Sequence, residues 1–155
     1  MDHLLEHVRP YLDRDQEERI AYIRAPRWIG HHAAQDSHRR LAELLLRPPS
    51  LRTQGLMLVG PYANGKTMIA ERFAVEHLRT SPNQRVWIAQ TREGAGLGHF
   101  YASILQALRA PGGDMWNLGR KTEQLDHLLF SLKPRVLIFD EFHNALRGRA
   151  RDVEA

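Results

Sequence analysis

A chain of 155 residues, 43% hydrophobic and 26% charged, with a formal net charge of +4, has the size and balance of about one globular domain with a real core. The absence of cysteine excludes disulfides and thiolate metal sites, and no apolar run approaches the roughly 20 residues that cross a bilayer. The opening MDHLLEHVRP lacks the basic region, apolar stretch and small-residue cleavage site of a secretory leader, so a cytoplasmic location with no membrane partner is expected.

The charge is unevenly spread. Residues 1–20 carry six acidic groups against three arginines, whereas residues 21–55 carry six arginines (Arg24, Arg27, Arg39, Arg40, Arg47, Arg52) against Asp36 and Glu43. Such a surplus suits either a polyanionic partner such as nucleic acid or a solvated surface.

In chain order, DQEERIAYIRAPRWIG predicts a helix with acidic residues early, Ile20 and Ile23 at helical spacing, and Pro26 as its stop. AAQDSHRRLAELLLRPPS predicts a second helix with an apolar stripe of Leu41, Leu44 and Leu45, ended by Pro48 and Pro49. LMLVG, RVWIAQ and RVLIFDE are apolar runs of strand length. Helical patterns lie between them, over about Lys66 to Leu78, Gly98 to Leu108 and Leu118 to Leu132. Strands alternating with helices predict an α/β fold, a parallel sheet flanked by helices behind a helical N-terminal arm.

The turn after LMLVG carries the chemistry. Gly60-Pro61-Tyr62-Ala63-Asn64-Gly65-Lys66-Thr67 fits G-x-x-x-x-G-K-[ST], with an apolar run before it and a helical pattern after it. Glycines let successive backbone N–H groups point at phosphate oxygens, a helix N-terminus adds its positive dipole end, and a lysine adds a full charge. Lys66 is placed for the β- and γ-phosphates and Thr67 for Mg²⁺; Tyr62 and Asn64 tune the loop. The alternative is a strand-to-helix turn that happens to match.

Further on, VLIFDE (Val136 to Glu141) is an apolar run ending in two carboxylates, the form of a Walker B segment. Buried charge needs a partner, and a metal with its water supplies one. Asp140 would hold the Mg²⁺ shell, Glu141 would polarise water, and Asn144 would help to position it. The alternative is an ion pair with Arg135 or Arg147. Trp28 and Ile29, in RWIG, are candidates to cover a base, or are packing residues. His3 and His7 could share a helix face but have no third metal ligand.

The segments RIAYIRAPRWIG through NGKTMIAERF, then HFYASILQALRAP, then RVLIFDEFHNAL resemble the TniB family of AAA+ transposition ATPases, which is related to TnsC and more distantly to IstB and DnaC-like loaders. The likeness runs from about Glu18 to Arg149. It implies a P-loop NTPase of AAA+ type that binds ATP and Mg²⁺, self-associates into a ring or filament on double-stranded DNA, and links a transposase to its target. By position it implies Gly60, Gly65, Lys66 and Thr67 as the nucleotide loop, Asp140 and Glu141 as the Walker B pair, and Trp28 and Ile29 on the adenine side; the rest of the loop, Pro61, Tyr62, Ala63, Asn64 and Met68, completes the expected nucleotide-binding set. With Asn144 as read above, Lys66, Glu141 and Asn144 are the expected catalytic group, and Thr67 with Asp140 the expected metal group. Arg92, Arg120 and Lys121 are the basic groups expected at a DNA channel.

The implied division is a helical arm with the adenine-side segment over 1–50 and a partial AAA+ core over 51–155. The family pattern continues past Walker B into a sensor strand, an arginine finger and a helical lid, which this chain, ending at Ala155, does not contain. A gap at the centre of the sheet and weak ATP hydrolysis are therefore expected, as for a truncated product or one part of a longer protein. Two other readings are a non-catalytic nucleotide- or DNA-binding fragment and a helicase-loader-like ATPase.

Overall fold

The computed structural model describes residues 4–25, 27–48, 50–80, 85–94, 96–111 and 117–146. The chain divides into two compact units, Met1–His31 and His32–Ala155.

In the first unit a short 3-10 turn, Arg9–Tyr11, precedes helix α1, Gln16–Arg24. Asp15 caps α1 by accepting the N–H of Glu18 at 2.8 Å, and Arg14 pairs with the Glu18 carboxylate at 2.9 Å. The helix ends where Ala25, the residue before Pro26, turns extended (φ −62°, ψ 131°), as the steric demand of a following proline requires. Pro26 itself lies outside the described residues. Ile20 and Ile23 do not form a buried stripe: α1 buries no residue, and Ile23 is 75% exposed. The order in this unit comes from rings. Tyr11 stacks on Tyr22 with centroids 3.6 Å apart, and the Arg27 guanidinium lies 3.5 Å over Tyr22 while donating to its carbonyl.

The second unit starts with α2 (His32–Leu46), which packs on α3 (Lys66–Thr80). Ala34 and Leu41 on α2 and Ile69, Ala70, Phe73 and Ala74 on α3 are buried. Leu44 and Leu45 are half-buried, as the lower part of the expected stripe. α2 falls within the second of the two units. On the outer face of α2, Asp36 accepts from Arg39 and Arg40, and Arg39 also reaches Glu43 at 2.7 Å. The two arginines hold the Asp36 carboxyl below its ordinary range, Arg39 first. Arg39 and Arg40, two of the six arginines counted between residues 21 and 55, thus pair with the two acidic residues of that stretch.

Strands β1 (Val86–Gln90) and β2 (Val136–Asp140) pair in parallel, Val86 opposite Val136 and Gln90 opposite Asp140. A parallel pair needs a long crossover, and α4 (Leu97–Ala107) and α5 (Leu118–Leu132) supply it. Trp87 and Ala89, which share one sheet face, bury with Ile104, Leu105 and Leu108 at α4 and Leu125 of α5. α3 also packs on β1. The Asn117 side chain caps α5 by accepting the N–H of Arg120 at 2.9 Å, and Lys133, left-handed at φ 46°, ends the helix before Pro134. A short helix α6, His143–Leu146, follows β2.

The strand expected over Leu56–Gly60 is not formed. A strand requires a ladder partner, and none of the described residues supplies one to this segment. Met57 and Val59 are 81% and 80% exposed, so an apolar run that reads as sheet core lies open. The remaining expected strands and helices are present within one or two residues. Among the described residues the protein is thus α/β, with a two-stranded parallel sheet and six α-helices, and no helix is long and apolar enough to cross a membrane.

Candidate functional site

Residues 60–66 form a tight turn that feeds directly into α3. Two of its residues stand in the left-handed region, Ala63 at φ 59° and Gly65 at φ 73°. Gly65 tolerates this for lack of a Cβ, whereas Ala63 bears a steric cost. The first helical bond of α3 runs from the N–H of Ile69 to the carbonyl of Gly65 at 3.0 Å, so the amides just ahead of Ile69 have no partner within the helix. A Cβ built on Gly60 would meet Asn64 Nδ2 at 3.3 Å, which makes glycine the comfortable residue at the mouth of the turn. Lys66 folds back and donates from Nζ to the carbonyls of Gly60 at 3.0 Å and Pro61 at 2.8 Å. Tyr62 is 94% exposed on the outside of the turn.

The end of β2 arrives beside this turn. Thr67 Oγ1 donates to Asp140 Oδ2 at 2.8 Å, joining residues 73 positions apart. Asp140 Oδ1 accepts the N–H of Glu141 at 3.0 Å, and the Asp140 carbonyl accepts the N–H of Thr91 at 2.9 Å. Glu141 is a non-glycine residue at φ 51°, a conformation kept only where the surroundings over-determine it. Its carboxylate lies 3.1 Å from His143 Nδ1.

Asn144 is turned inward. It is 7% exposed and donates from Nδ2 to the Thr91 carbonyl at 3.0 Å, which ties α6 to the end of β1. Its Oδ1 and the Thr91 hydroxyl are buried with no hydrogen-bond partner among the described residues. Its amide nitrogen thus serves as a tie between α6 and the end of β1. Thr91 has no motif around it, and sequence reasoning missed it: its partner lies 53 positions away.

Arg135 is not a partner of the carboxylate pair. Its guanidinium donates to the carbonyls of Leu45 at 3.2 Å and of Arg47, closing the C-terminal end of α2. Arg147 lies outside the described residues, as does His3. Trp28, half-buried, and Ile29, 77% exposed, belong to the first unit, where the Ile29 carbonyl accepts the N–H of His31 at 2.9 Å.

The three basic residues expected at DNA differ from one another. Arg120 is exposed on the first turn of α5. Arg92 is half-buried and donates from Nε and Nη2 to Gln106 Oε1, at 3.1 and 2.7 Å, so a neutral group orients its charge. Lys121 is 8% exposed, and its Nζ donates to the Gly98 carbonyl at 3.1 Å. The side chain is buried, and its amine is held by a carbonyl of α4.

The donor set can be tested against a hard cation and a phosphate chain. Thr67 and Asp140 bring two oxygen donors to one point, of the type Mg²⁺ selects. The left-handed turn, a helix N-terminus and a lysine provide positive groups of the type phosphates select. Both sets fit. The arrangement is compatible with part of a P-loop domain.

The profile of one protein family, described as "Bacterial TniB protein", matches residues 19–155. The chain belongs to the TniB family and is a transposition-related protein. Neither the curated proteins nor the solved structures compared with it gave a match.

Proposed function

We propose that this protein is an ATP-binding AAA+ regulator of DNA transposition that binds double-stranded DNA and links a transposase to its target. The observation that carries the reading is the 2.8 Å contact between Thr67 and Asp140, because it unites the phosphate-loop motif with the carboxylate motif at one point. Amides of residues 60–68 would cradle the phosphates and Lys66 would exchange its carbonyl partners for phosphate oxygens. Thr67 and Asp140 would hold Mg²⁺, whose part is to neutralise phosphate charge. Glu141 would polarise water. Trp28 and Ile29 are proposed on the adenine side, and self-association on DNA follows the family's pattern. For DNA, exposed Arg120 and oriented Arg92 are the better candidates, with Lys121 acting inside the fold.

A second reading, a nucleotide binder with little hydrolysis, is favoured by the unpaired Leu56–Gly60 segment. A phosphate loop preceded by a segment with no ladder partner among the described residues is less fixed than catalysis requires, since misplacement by about 1 Å can cost roughly 100-fold in rate.

The test is calorimetric titration with Mg-ATP. The unmodified chain is expected to bind, and Lys66→Ala is expected to weaken binding by at least about tenfold, since a charge-assisted contact to phosphate is lost. Equal affinities would remove the phosphate-loop reading. Turnover measured with and without duplex DNA then separates the two readings.

A further inference from the structure

We infer that Gln106 is a positioning residue for a contact between Arg92 and a duplex phosphate, holding the guanidinium in its binding orientation before DNA arrives. The inference rests on the proposed reading of Arg92 as a DNA contact, and it adds a residue which no motif assigns.

The backbone that carries Arg92 is fixed on both sides. At the end of β1 the Thr91 N–H donates to the Asp140 carbonyl at 2.9 Å, and the Thr91 carbonyl accepts from Asn144 Nδ2 at 3.0 Å. One residue on, the Arg92 N–H donates to Ser103 Oγ at 3.1 Å. Ser103 is buried, and its hydroxyl passes its own hydrogen to the His99 carbonyl at 3.1 Å. The loop then closes on α4 at Gly94, where a Cβ would meet the His99 ring at 2.8 Å, so glycine is what lets the chain come so near. The main chain at Arg92 is therefore braced, and the freedom that remains lies in its side chain.

Gln106 restricts that freedom. One turn beyond Ser103 on α4, its Oε1 accepts from both Nε and Nη2 of Arg92, at 3.1 and 2.7 Å. Two bonds to one edge of a planar guanidinium fix its heading, with the Nη1 side directed away from Gln106. The acceptor is also neutral. A carboxylate here would hold the same edge more strongly but offset the charge, whereas an amide orients the cation and leaves its full charge for a phosphate. A side chain ordered beforehand loses less freedom when it binds, an advantage of about two- to tenfold in affinity for one long side chain.

The test measures binding of the full chain to a mixed-sequence DNA duplex across a salt series, with a non-hydrolysable ATP analogue present. Gln106 is exposed, so its substitution leaves the core intact. Gln106→Ala and Gln106→Met are expected to weaken binding about two- to tenfold with the log–log salt slope kept, because the phosphate contact still forms, from a less ordered side chain. Arg92→Ala should instead lower the slope by about 0.9. In an Arg92→Ala background Gln106→Ala should have no further effect, which is the coupling a double-mutant cycle reads when one residue acts through another. Gln106→Glu keeps the acceptor, so denaturant unfolding should stay close to that of the unmodified chain while duplex affinity falls. Normal duplex affinity in Gln106→Glu would overturn the inference. So would normal affinity in Gln106→Ala when Arg92→Ala is defective, or a Gln106→Ala loss that persists in the Arg92→Ala background; each of these leaves Arg92 at the DNA. Normal affinity and slope in Arg92→Ala, or a chain that binds no duplex, overturns the DNA reading of Arg92 itself, and the inference with it.

Discussion

The Thr67 hydroxyl donates to the Asp140 carboxylate across 2.8 Å, so the first turn of α3 and the last residue of β2 meet at one point. If that point holds Mg²⁺, Thr67→Ala removes one oxygen donor and Asp140→Asn removes the charge. Both are expected to reduce the Mg²⁺-dependent part of ATP affinity about tenfold or more, while binding in excess chelator stays close to that of the unmodified chain. Thr67→Ser keeps the oxygen and should behave normally. Titration with and without Mg²⁺ makes the comparison.

Ala63 and Gly65 share a sign of φ and differ in side chain, so substitutions at the two positions should have opposite effects. Gly65→Ala places a Cβ at φ 73° and is expected to destabilise the chain by about 1 kcal/mol, whereas Ala63→Gly relieves a cost of similar size and should be neutral or stabilising. Denaturant unfolding measures both.

Asn144→Ala is expected to destabilise the protein by about 1–3 kcal/mol, because it leaves the buried Thr91 carbonyl without its donor. Nucleotide affinity in the fraction that remains folded should be unchanged. A variant of normal stability with lost turnover would instead return Asn144 to the role of positioning water.

Arg120 and Lys121 are neighbours in sequence with different prospects. Arg120→Ala should reduce the salt dependence of duplex binding by about 0.9 in the log–log slope, as one phosphate contact is lost. Lys121→Met should leave that slope unchanged, and it is expected to keep or raise stability, since a buried ammonium with a single carbonyl partner is replaced by an apolar side chain of similar length. A salt series on both variants, with a non-hydrolysable ATP analogue present, separates them.

Local signals explain what was legible in the sequence. Prolines near 26 and 48 and helical spacing place the helix limits, and the phosphate-loop and Walker B patterns pick out Lys66, Thr67 and Asp140 without reference to the fold. Properties that depend on distant partners were not legible. Leu56–Gly60 has strand composition, but a ladder comes from another segment. Lys121 has surface composition, but its amine is received by a carbonyl 23 positions earlier. The burial of Asn144 and the commitment of Arg135 to α2 are settled in the same way, by groups 53 and up to 90 positions away.

The Arg135 contact also bears on the order of folding. The last carbonyls of α2 are met by a guanidinium from the residue just ahead of β2, 90 positions later. Until β2 docks, the C-terminal turn of α2 has only water and its own chain to satisfy it, so its amides should exchange with solvent in an early, low-energy opening of the native protein. Closing that contact joins segments far apart in the chain, a step of high contact order that places completion of α2 late, after the helix itself has formed.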